Sequence, residues 1–432
     1  MKAHLRMVGC RLNQSEIDTM ARQLSALGHE IVDRPAEADH FIINTCAVTS
    51  EAAKTSRKLI RDFHRANPAG ETTVTGCYAQ IAPGDIARLP GVGTVVDNGG
   101  KAQLVSQITG EAIDVFEREP LERQAPLGRT RAFVKAQDGC DLACTFCVTT
   151  IARGAGTSRP LREVLREVNY LHLSGYQEIV LTGVHLGSYG QDLGEGESLK
   201  RLVEALLRET DMPRIRLSSL EPWDLSPDFF ALWQDRRLCR HLHLPLQSGC
   251  DRTLKRMRRN TSQRQFRQIV ESARASIPEL SLTTDVIVGF PGETDGEFDQ
   301  SERFIREMEF AGLHVFRYSS RPGAPASRMR NQVDSKAKKA RSARLLSLSQ
   351  QMEARFAASL RGSQQEVLWE RVKGATPAGF VITGYTDNYM RVNSVHPRDL
   401  TNVITRTQLG AYTDGAIHGR VKELASPQAT VF

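Results

Sequence analysis

Arg131-Ala132-Phe133-Val134-Lys135-Ala136-Gln137-Asp138-Gly139-Cys140-Asp141-Leu142-Ala143-Cys144-Thr145-Phe146-Cys147 is the stretch on which the reading of the chain turns. Residues 132–136 read as a strand, and three cysteines follow it at close spacing. Three such thiolates can hold three corners of a 4Fe–4S cube, which leaves one iron without a protein ligand. S-adenosylmethionine (SAM) can chelate that iron through its amino and carboxylate groups, and an electron from the cluster then cleaves the sulfonium. Structural zinc is the competing reading, but it wants four ligands, so one would have to come from far away. The place of the motif, directly after a strand, is the C-terminal mouth of a β/α barrel, where barrel active sites lie. Phe146, between two cysteines, suits a shielding or adenine-facing role, or a core role.

Outward from this stretch, further strand patterns alternate with helical ones at residues 178–182, 214–218, 241–245, 282–288 and 312–316. Six strand–helix units fall short of the eight in a closed barrel, so an open, partial barrel is expected. Upstream, strands at 4–8, 40–43 and 72–75 alternate with helices at 15–27 and 50–66, the pattern of a parallel, doubly wound α/β domain. Residues 108–130 are charged, contain Pro120 and Pro126, and read as a linker. Residues 321–361 carry ten Lys or Arg against Asp334 and Glu353 and read as mostly an exposed basic helix. Short alternating strands at 365–368, 379–383 and 390–392 then suggest a small all-β barrel. The expected bounds are 1–107, 108–130, 131–361 and 362–432.

Composition narrows the setting. The chain has 432 residues, 40% hydrophobic and 25% charged, with a net charge of +7 that favours an anionic partner. It has no apolar run long enough to span a membrane, and its N-terminus turns polar too early for a secretory signal, so the cytoplasm is expected. Eight cysteines in such a chain point to metal ligation or redox chemistry rather than disulfides. Cys10, Cys46 and Cys77 each lie at or just beyond a strand end of the first domain. The ends of parallel strands share one edge, so these three converge on one crevice and suggest a second metal-binding triad. Small buried residues are the alternative. Cys239 and Cys250 read as structural.

Leu181-Thr182-Gly183-Val184, Ser218-Ser219-Leu220-Glu221-Pro222, Leu244-Pro245-Leu246-Gln247-Ser248-Gly249 and Thr284-Asp285-Val286-Ile287-Val288-Gly289-Phe290-Pro291-Gly292-Glu293 end successive barrel strands. With the three-cysteine motif, they make the chain resemble the radical SAM superfamily. The order of parts resembles its methylthiotransferase family: an auxiliary-cluster domain, a radical SAM core and a C-terminal TRAM-like barrel. The resemblance implies two 4Fe–4S clusters, on Cys10, Cys46 and Cys77 and on Cys140, Cys144 and Cys147. It implies SAM contacts from Phe146, Thr182, Gly183, Ser218, Glu221 and Gln247. One SAM would methylate sulfur associated with the auxiliary cluster; a second would supply the radical that takes hydrogen from the substrate.

Gly9-Cys10-Arg11-Leu12-Asn13-Gln14, Asn44-Thr45-Cys46-Ala47-Val48-Thr49-Ser50-Glu51-Ala52, Thr75-Gly76-Cys77-Tyr78-Ala79-Gln80 and His314-Val315-Phe316-Arg317-Tyr318-Ser319 look like the subgroup acting on N6-threonylcarbamoyladenosine at position 37 of tRNA. Thr149-Thr150-Ile151 departs from the bulkier apolar–proline pair frequent in relatives. Methylthiolation of isopentenyladenosine in tRNA, or of an aspartate in a small-subunit ribosomal protein, are alternatives within the family. A non-catalytic iron–sulfur RNA-binding protein is an alternative of a different class. Arg252, Lys255, Arg256, Arg258 and Arg259, with Lys336, Lys338, Lys339, Arg341 and Arg344, are candidate phosphate contacts. Tyr385 and Tyr389 are candidates for stacking on bases, and Arg153 or Arg317 for pairing with the threonylcarbamoyl carboxylate. A reducing electron donor and a sulfur source complete the expected partners.

Overall fold

The structure is a computed structural model that describes residues 1–120 and 130–424. Residues 121–129 of the expected linker and 425–432 of the expected terminal barrel lie outside the described residues. The chain divides into two compact units. One comprises Met1–Ser174, Leu181–Ser198 and Ser319–Ser327; the other comprises Gly175–Val180, Leu199–Tyr318 and Arg328–Phe432.

The first unit begins with β1 (Lys2–Met7), α1 (Arg11–Ala26), β2 (Glu30–Ile31), β3 (His40–Thr45), α2 (Ser50–Ala66), β4 (Glu71–Gly76), α3 (Cys77–Ile81), α4 (Pro83–Ala87), β5 (Val92–Val95) and α5 (Leu104–Thr109). Its five strands pair in the order β2-β1-β3-β4-β5, and the pairs are parallel. Every residue of β3 is buried, as expected for a central parallel strand covered on both faces. Phe41 and Ile43 pack with Ile60 and Phe63, whereas Ile42 packs with Ile17, Met20 and Leu24. The period of two thus feeds two cores, and the doubly wound expectation holds.

α1 starts at Arg11, four positions before the expected helix. Its first turns bury Asn13, Gln14, Ser15 and Glu16, so apolar periodicity does not reveal them. Residues 111–120 also do more than connect: Phe116 meets Tyr170 edge-on at 5.5 Å and Glu117 pairs with Arg166 at 2.7 Å. The unit continues through β6 (Arg131–Lys135), β7 (Gln137–Asp138), α6 (Thr149–Arg153), β8 (Thr157–Ser158), α7 (Leu161–Leu173) and the end of β9 (Glu178–Thr182). Ala136 donates its N–H to the Thr182 carbonyl at 2.9 Å, and β7 pairs with β8 in a short antiparallel ladder.

The second unit carries the start of β9, then α8 (Leu199–Glu209), β10 (Arg214–Leu217), β11 (His241–His243), α9 (Asp251–Met257), α10 (Gln263–Ser276), β12 (Ser281–Val288), α11 (Asp295–Glu307), β13 (Gly312–Arg317) and α12 (Ser335–Ser359). Within this unit β11, β12 and β13 form a parallel ladder, and parallel bridges Ile215–Leu238 and Ser219–His243 join β10 to the β11 side. These strands belong to the partial barrel. Along β12, Leu282, Thr284, Val286 and Val288 are buried, while Thr283, Asp285 and Ile287 are only half-buried. The second set lies on the less buried face of the sheet.

The basic segment 321–361 is not simply an exposed helix. α12 buries Arg341, Leu345, Leu348, Ser349, Met352 and Ala357, and its Ser349 hydroxyl accepts the Leu313 N–H at 2.9 Å. Leu345, Leu348 and Met352 recur at helical spacing, a stripe that the lysines and arginines around it obscure.

Finally β14 (Gln364–Thr376), β15 (Gly379–Thr386), β16 (Arg391–His396), β17 (Ile404–Thr413) and β18 (Ala416–Leu424) form a closed barrel in the order β14-β15-β16-β18-β17. Trp369 is buried at its centre, its indole N–H bonded to Thr405 at 2.8 Å. Among the described residues no helix is long and apolar enough to cross a membrane.

Candidate iron–sulfur centres

The two cysteine triads both belong to the first unit. Cys10, Cys46 and Cys77 follow β1, β3 and β4, three neighbouring parallel strands whose register aligns Met7 with Asn44 and Asn44 with Thr75. Their exits therefore share one sheet edge. Burial pushes the Cys46 thiol up to about 11, and the Cys10 and Cys77 sulfurs add to that rise against the Val48 N–H and Arg153, which lower it. A metal bound there has to displace the thiol protons.

The backbone around them is shaped for close approach. Gly9 has φ +105°, and a Cβ there would lie 2.6 Å from the Cys46 Cβ and 2.7 Å from its sulfur. Gly76 has φ +98°, and a side chain there would collide with the Asn44 amide oxygen and the Thr45 backbone. That Asn44 oxygen is buried without a hydrogen-bond partner. The donor set and the glycine cradle fit an iron–sulfur cluster.

Cys140, Cys144 and Cys147 lie on the loop after β7. Gly139 has φ +68°, and any side chain there would run into the Ala155 carbonyl. The Leu142 N–H points at the Cys140 sulfur and the Thr149 N–H at the Cys147 sulfur, both at 3.4 Å, which suits thiolates. Gln137 fastens the loop: its amide N–H donates to the Asp138 and Gly139 carbonyls at 2.7 and 2.9 Å, and its oxygen accepts the His185 N–H at 2.8 Å. It thereby ties the cysteine loop to the turn after Gly183, a role that its neutral side chain did not advertise in the sequence. Phe146 is half-buried in the same loop, and Thr182 is buried at the end of β9.

Beside both triads sits a buried charge network that sequence reasoning missed. The Arg153 guanidinium, on α6, donates to Asp138 at 2.8 and 3.0 Å, to Glu16 at 3.1 Å and to Asn13 at 2.6 Å. Glu16 also accepts from Lys101 at 2.7 Å, Lys135 at 3.4 Å and Asn44 at 2.8 Å. Burial alone would raise the Glu16 pKa, but Lys101, Arg153 and Lys135 hold it well below the usual carboxylate range. Arg153 is thus committed inside the protein and is not available to a substrate carboxylate.

In the second unit, Ser218 Oγ and Gln247 Oε1 are buried without hydrogen-bond partners at the ends of barrel strands, and Gln247 adopts φ +68°. Orphaned polar atoms at these positions suit a polar cofactor. Glu221 differs: its carboxylate is gripped by Arg259, which also donates to the Pro245 carbonyl and stacks over Trp223.

The expected phosphate contacts divide accordingly. Arg252, Lys255, Arg258, Lys336 and Lys339 are exposed, with Arg252 also 3.4 Å from Glu297. Arg259 is buried, Arg256 is paired with Glu297, Arg341 with Glu293 and Asp295, and Arg344 with Asp299 and Glu302. Lys338 lies half-buried over the Tyr318 ring at 5.1 Å. Tyr385 and Tyr389 stack on each other at 5.0 Å, and the Arg216 guanidinium covers Tyr389 at 4.7 Å, so they serve packing. Arg216 in turn binds the buried Glu178 at 2.7 Å.

Residues 134–305 match the radical SAM superfamily model, and residues 2–97 match uncharacterized protein family UPF0004. The chain is 37% identical over 415 residues to the threonylcarbamoyladenosine tRNA methylthiotransferase MtaB of Bacillus subtilis, covering 93% of this chain and 92% of that protein. The chain belongs to the radical SAM methylthiotransferase family. Among other members, MtaB of Thermotoga maritima is 36% identical, with 89% of each chain covered. The tRNA-2-methylthio-N(6)-dimethylallyladenosine synthase of Geobacillus kaustophilus is 32% identical, with 94% of this chain and 80% of that one covered. In fold, the chain is similar to the radical SAM methyltransferase TsrM of Kitasatospora setae, with a TM-score of 0.57 at 14% identity, over 87% of this chain and 79% of that one. As a family member it is an enzyme whose chemistry depends on iron–sulfur and SAM.

Proposed function

We propose that this enzyme adds a methylthio group to C2 of N6-threonylcarbamoyladenosine at position 37 of tRNA, in the cytoplasm. The observation that carries this reading is near-complete coverage by the MtaB proteins of Bacillus subtilis and Thermotoga maritima at 37% and 36% identity, against 32% for the dimethylallyladenosine synthase of Geobacillus kaustophilus. The reading assigns one 4Fe–4S cluster to Cys140, Cys144 and Cys147 and a second to Cys10, Cys46 and Cys77. It treats residues 1–107 as the auxiliary-cluster domain, 131–361 as the radical SAM core and 362–432 as the TRAM-like barrel. When bound, the first cluster with SAM supplies the radical that removes the C2 hydrogen, and the second supplies the methylthio group.

The chain's own residues hold and shield these groups. Gln137 and Gly139 fix the first loop, and Gly9 and Gly76 open space at the second. Phe146, Thr182, Gly183, Ser218 and Gln247 are assigned to SAM; Glu221 supports its strand end through Arg259. Exposed Arg252, Lys255, Arg258, Lys336 and Lys339 are assigned to tRNA phosphates, and an external electron donor and sulfur source are required.

The test is methylthiolation by reconstituted protein of tRNAs carrying threonylcarbamoyl, isopentenyl or unmodified adenosine at position 37, read by nucleoside mass spectrometry. Product from the threonylcarbamoyl tRNA is expected. Product confined to the isopentenyl tRNA would overturn the substrate assignment.

A further inference from the structure

The less buried face of the barrel sheet in the second unit carries a hydrogen-bonded row of side chains that the chemistry above does not use. His243 ends β11, Asp285 lies on β12 and His314 on β13, and the register sets His243 opposite Thr283 and Asp285 opposite His314. His243 Nε2 and His314 Nδ1 each lie 3.1 Å from the same Asp285 oxygen. The two rings are stacked with centroids 5.1 Å apart. Thr283 Oγ1 lies 2.9 Å from His243 Nδ1 and 3.0 Å from His241 Nε2. One set of tautomers satisfies the whole row: His241 donates to Thr283, Thr283 to His243, and both His243 and His314 donate to Asp285. Its inner members His241 and His243 are buried, while the His314 side chain is 59% exposed.

These groups share the less buried face of the sheet, that of Thr283, Asp285 and Ile287. Two residues farther along that face, Phe316 stands opposite Ile287 and is 42% exposed. An uncovered aromatic ring near the C-terminal end of a barrel strand is a platform for an extruded base. Two residues along a strand span about 7 Å. A base on Phe316 therefore directs a substituent of a few bonds toward His314. With Nδ1 committed to Asp285, His314 presents Nε2 outward. When protonated, that nitrogen donates a charge-assisted hydrogen bond, which suits a carboxylate. Arg317 follows on the opposite face of β13, where it pairs in register with the buried Val288.

We propose that His314, braced by Asp285 and His243, is the site that binds the carboxylate of the N6 substituent while Phe316 stacks on the purine. The proposal rests on the threonylcarbamoyl reading and names the residue that enforces it. His314 is then a specificity-determining residue, and Asp285 and His243 are positioning residues.

The test uses cluster-loaded protein and two tRNAs that differ only in carrying threonylcarbamoyladenosine or unmodified adenosine at position 37. His314→Ala should weaken binding of the threonylcarbamoyl tRNA about ten- to a hundredfold, the range of a lost charged hydrogen bond. Binding of the unmodified tRNA should be unchanged, so the preference collapses. His314→Arg, which supplies a cation, should restore part of it, and Phe316→Ala should weaken both tRNAs alike. Iron content and thermal unfolding verify that each variant is folded. A wild-type preference in His314→Ala would overturn the inference while leaving the substrate reading intact. Stoichiometric zinc uptake by the cluster-loaded wild type, absent in His314→Ala, would overturn it in favour of a metal site. Failure of the wild type to modify the threonylcarbamoyl tRNA would overturn both.

Discussion

Cys140, Cys144 and Cys147 sit on one loop, whereas Cys10, Cys46 and Cys77 follow three strands separated by helices. The first triad needs little more than a turn: Gly139 opens it, Gln137 ties it down, and nearby N–H groups face its sulfurs. The second exists only when the sheet does, because the parallel register of β1, β3 and β4 is what brings the sulfurs to one edge. A local triad should survive damage elsewhere, whereas a triad built from strand ends should depend on the packing of its whole domain. Arg153 complicates that division, since it joins Asp138 beside the first triad to Asn13 and Glu16 beside the second.

The largest expected effect tests the local triad. Cys140→Ala, Cys144→Ala and Cys147→Ala should each abolish reductive SAM cleavage, measured as 5′-deoxyadenosine, because the cube loses a ligand. Undiminished cleavage would refute the assignment. Next, the combined Cys10→Ala, Cys46→Ala and Cys77→Ala variant should lose about half of roughly eight irons, four per cluster, and still cleave SAM. A variant that keeps all its iron would dissolve the comparison, since the strand-end triad would then hold nothing.

Arg153→Met sharpens it. Removing the cation leaves Glu16 and Asp138 short of their shared partner, and breaking a buried pair typically costs about 3–5 kcal/mol. Chemical denaturation should register a loss of that order, and both triads should take up iron less completely. A defect limited to one triad would mean that they are independent after all. Acid sensitivity probes the same network. Because Glu16 is held below its unfolded value, its stabilisation is complete above the ordinary carboxylate pKa and is lost as pH falls through the depressed native value. Glu16→Gln should therefore lower stability at neutral pH and flatten the acid limb of the stability profile; an unchanged slope would remove Glu16 from the account.

The smallest effect concerns the exposed charges. Replacing Arg252, Lys255 and Arg258 by Ser should weaken tRNA binding modestly and reduce its salt dependence, since fewer counterions are released. The same changes should leave thermal stability within about 0.5 kcal/mol, in contrast to Arg153. An unaltered salt slope would make these residues ordinary solvated surface.

Much of this organisation was legible in the chain itself. Local spacing announced the 140–147 loop, and short strand-like runs between helical patterns announced the strands that deliver Cys46 and Cys77. The polar start of α1 was not legible, because Asn13 and Glu16 are buried by partners distant in sequence rather than by apolar periodicity. The arginines divide for the same reason. In sequence Arg258 and Arg259 are equivalent neighbours, yet the left-handed C-cap at Arg258 leaves one in solvent and turns the other onto Glu221.

The sequence by itself determined which residue types can bind iron, which segments form strands and the order of the parts, because those depend on spacing and short-range pattern. Only the tertiary structure decided which charges are free and which are spent. It alone joined Arg153 to Glu16 and set His243, Asp285 and His314 in one row. Ion pairs and hydrogen-bonded rows across strands form between residues dozens of positions apart, and their geometry is fixed by strand register and helix packing, which no local pattern encodes.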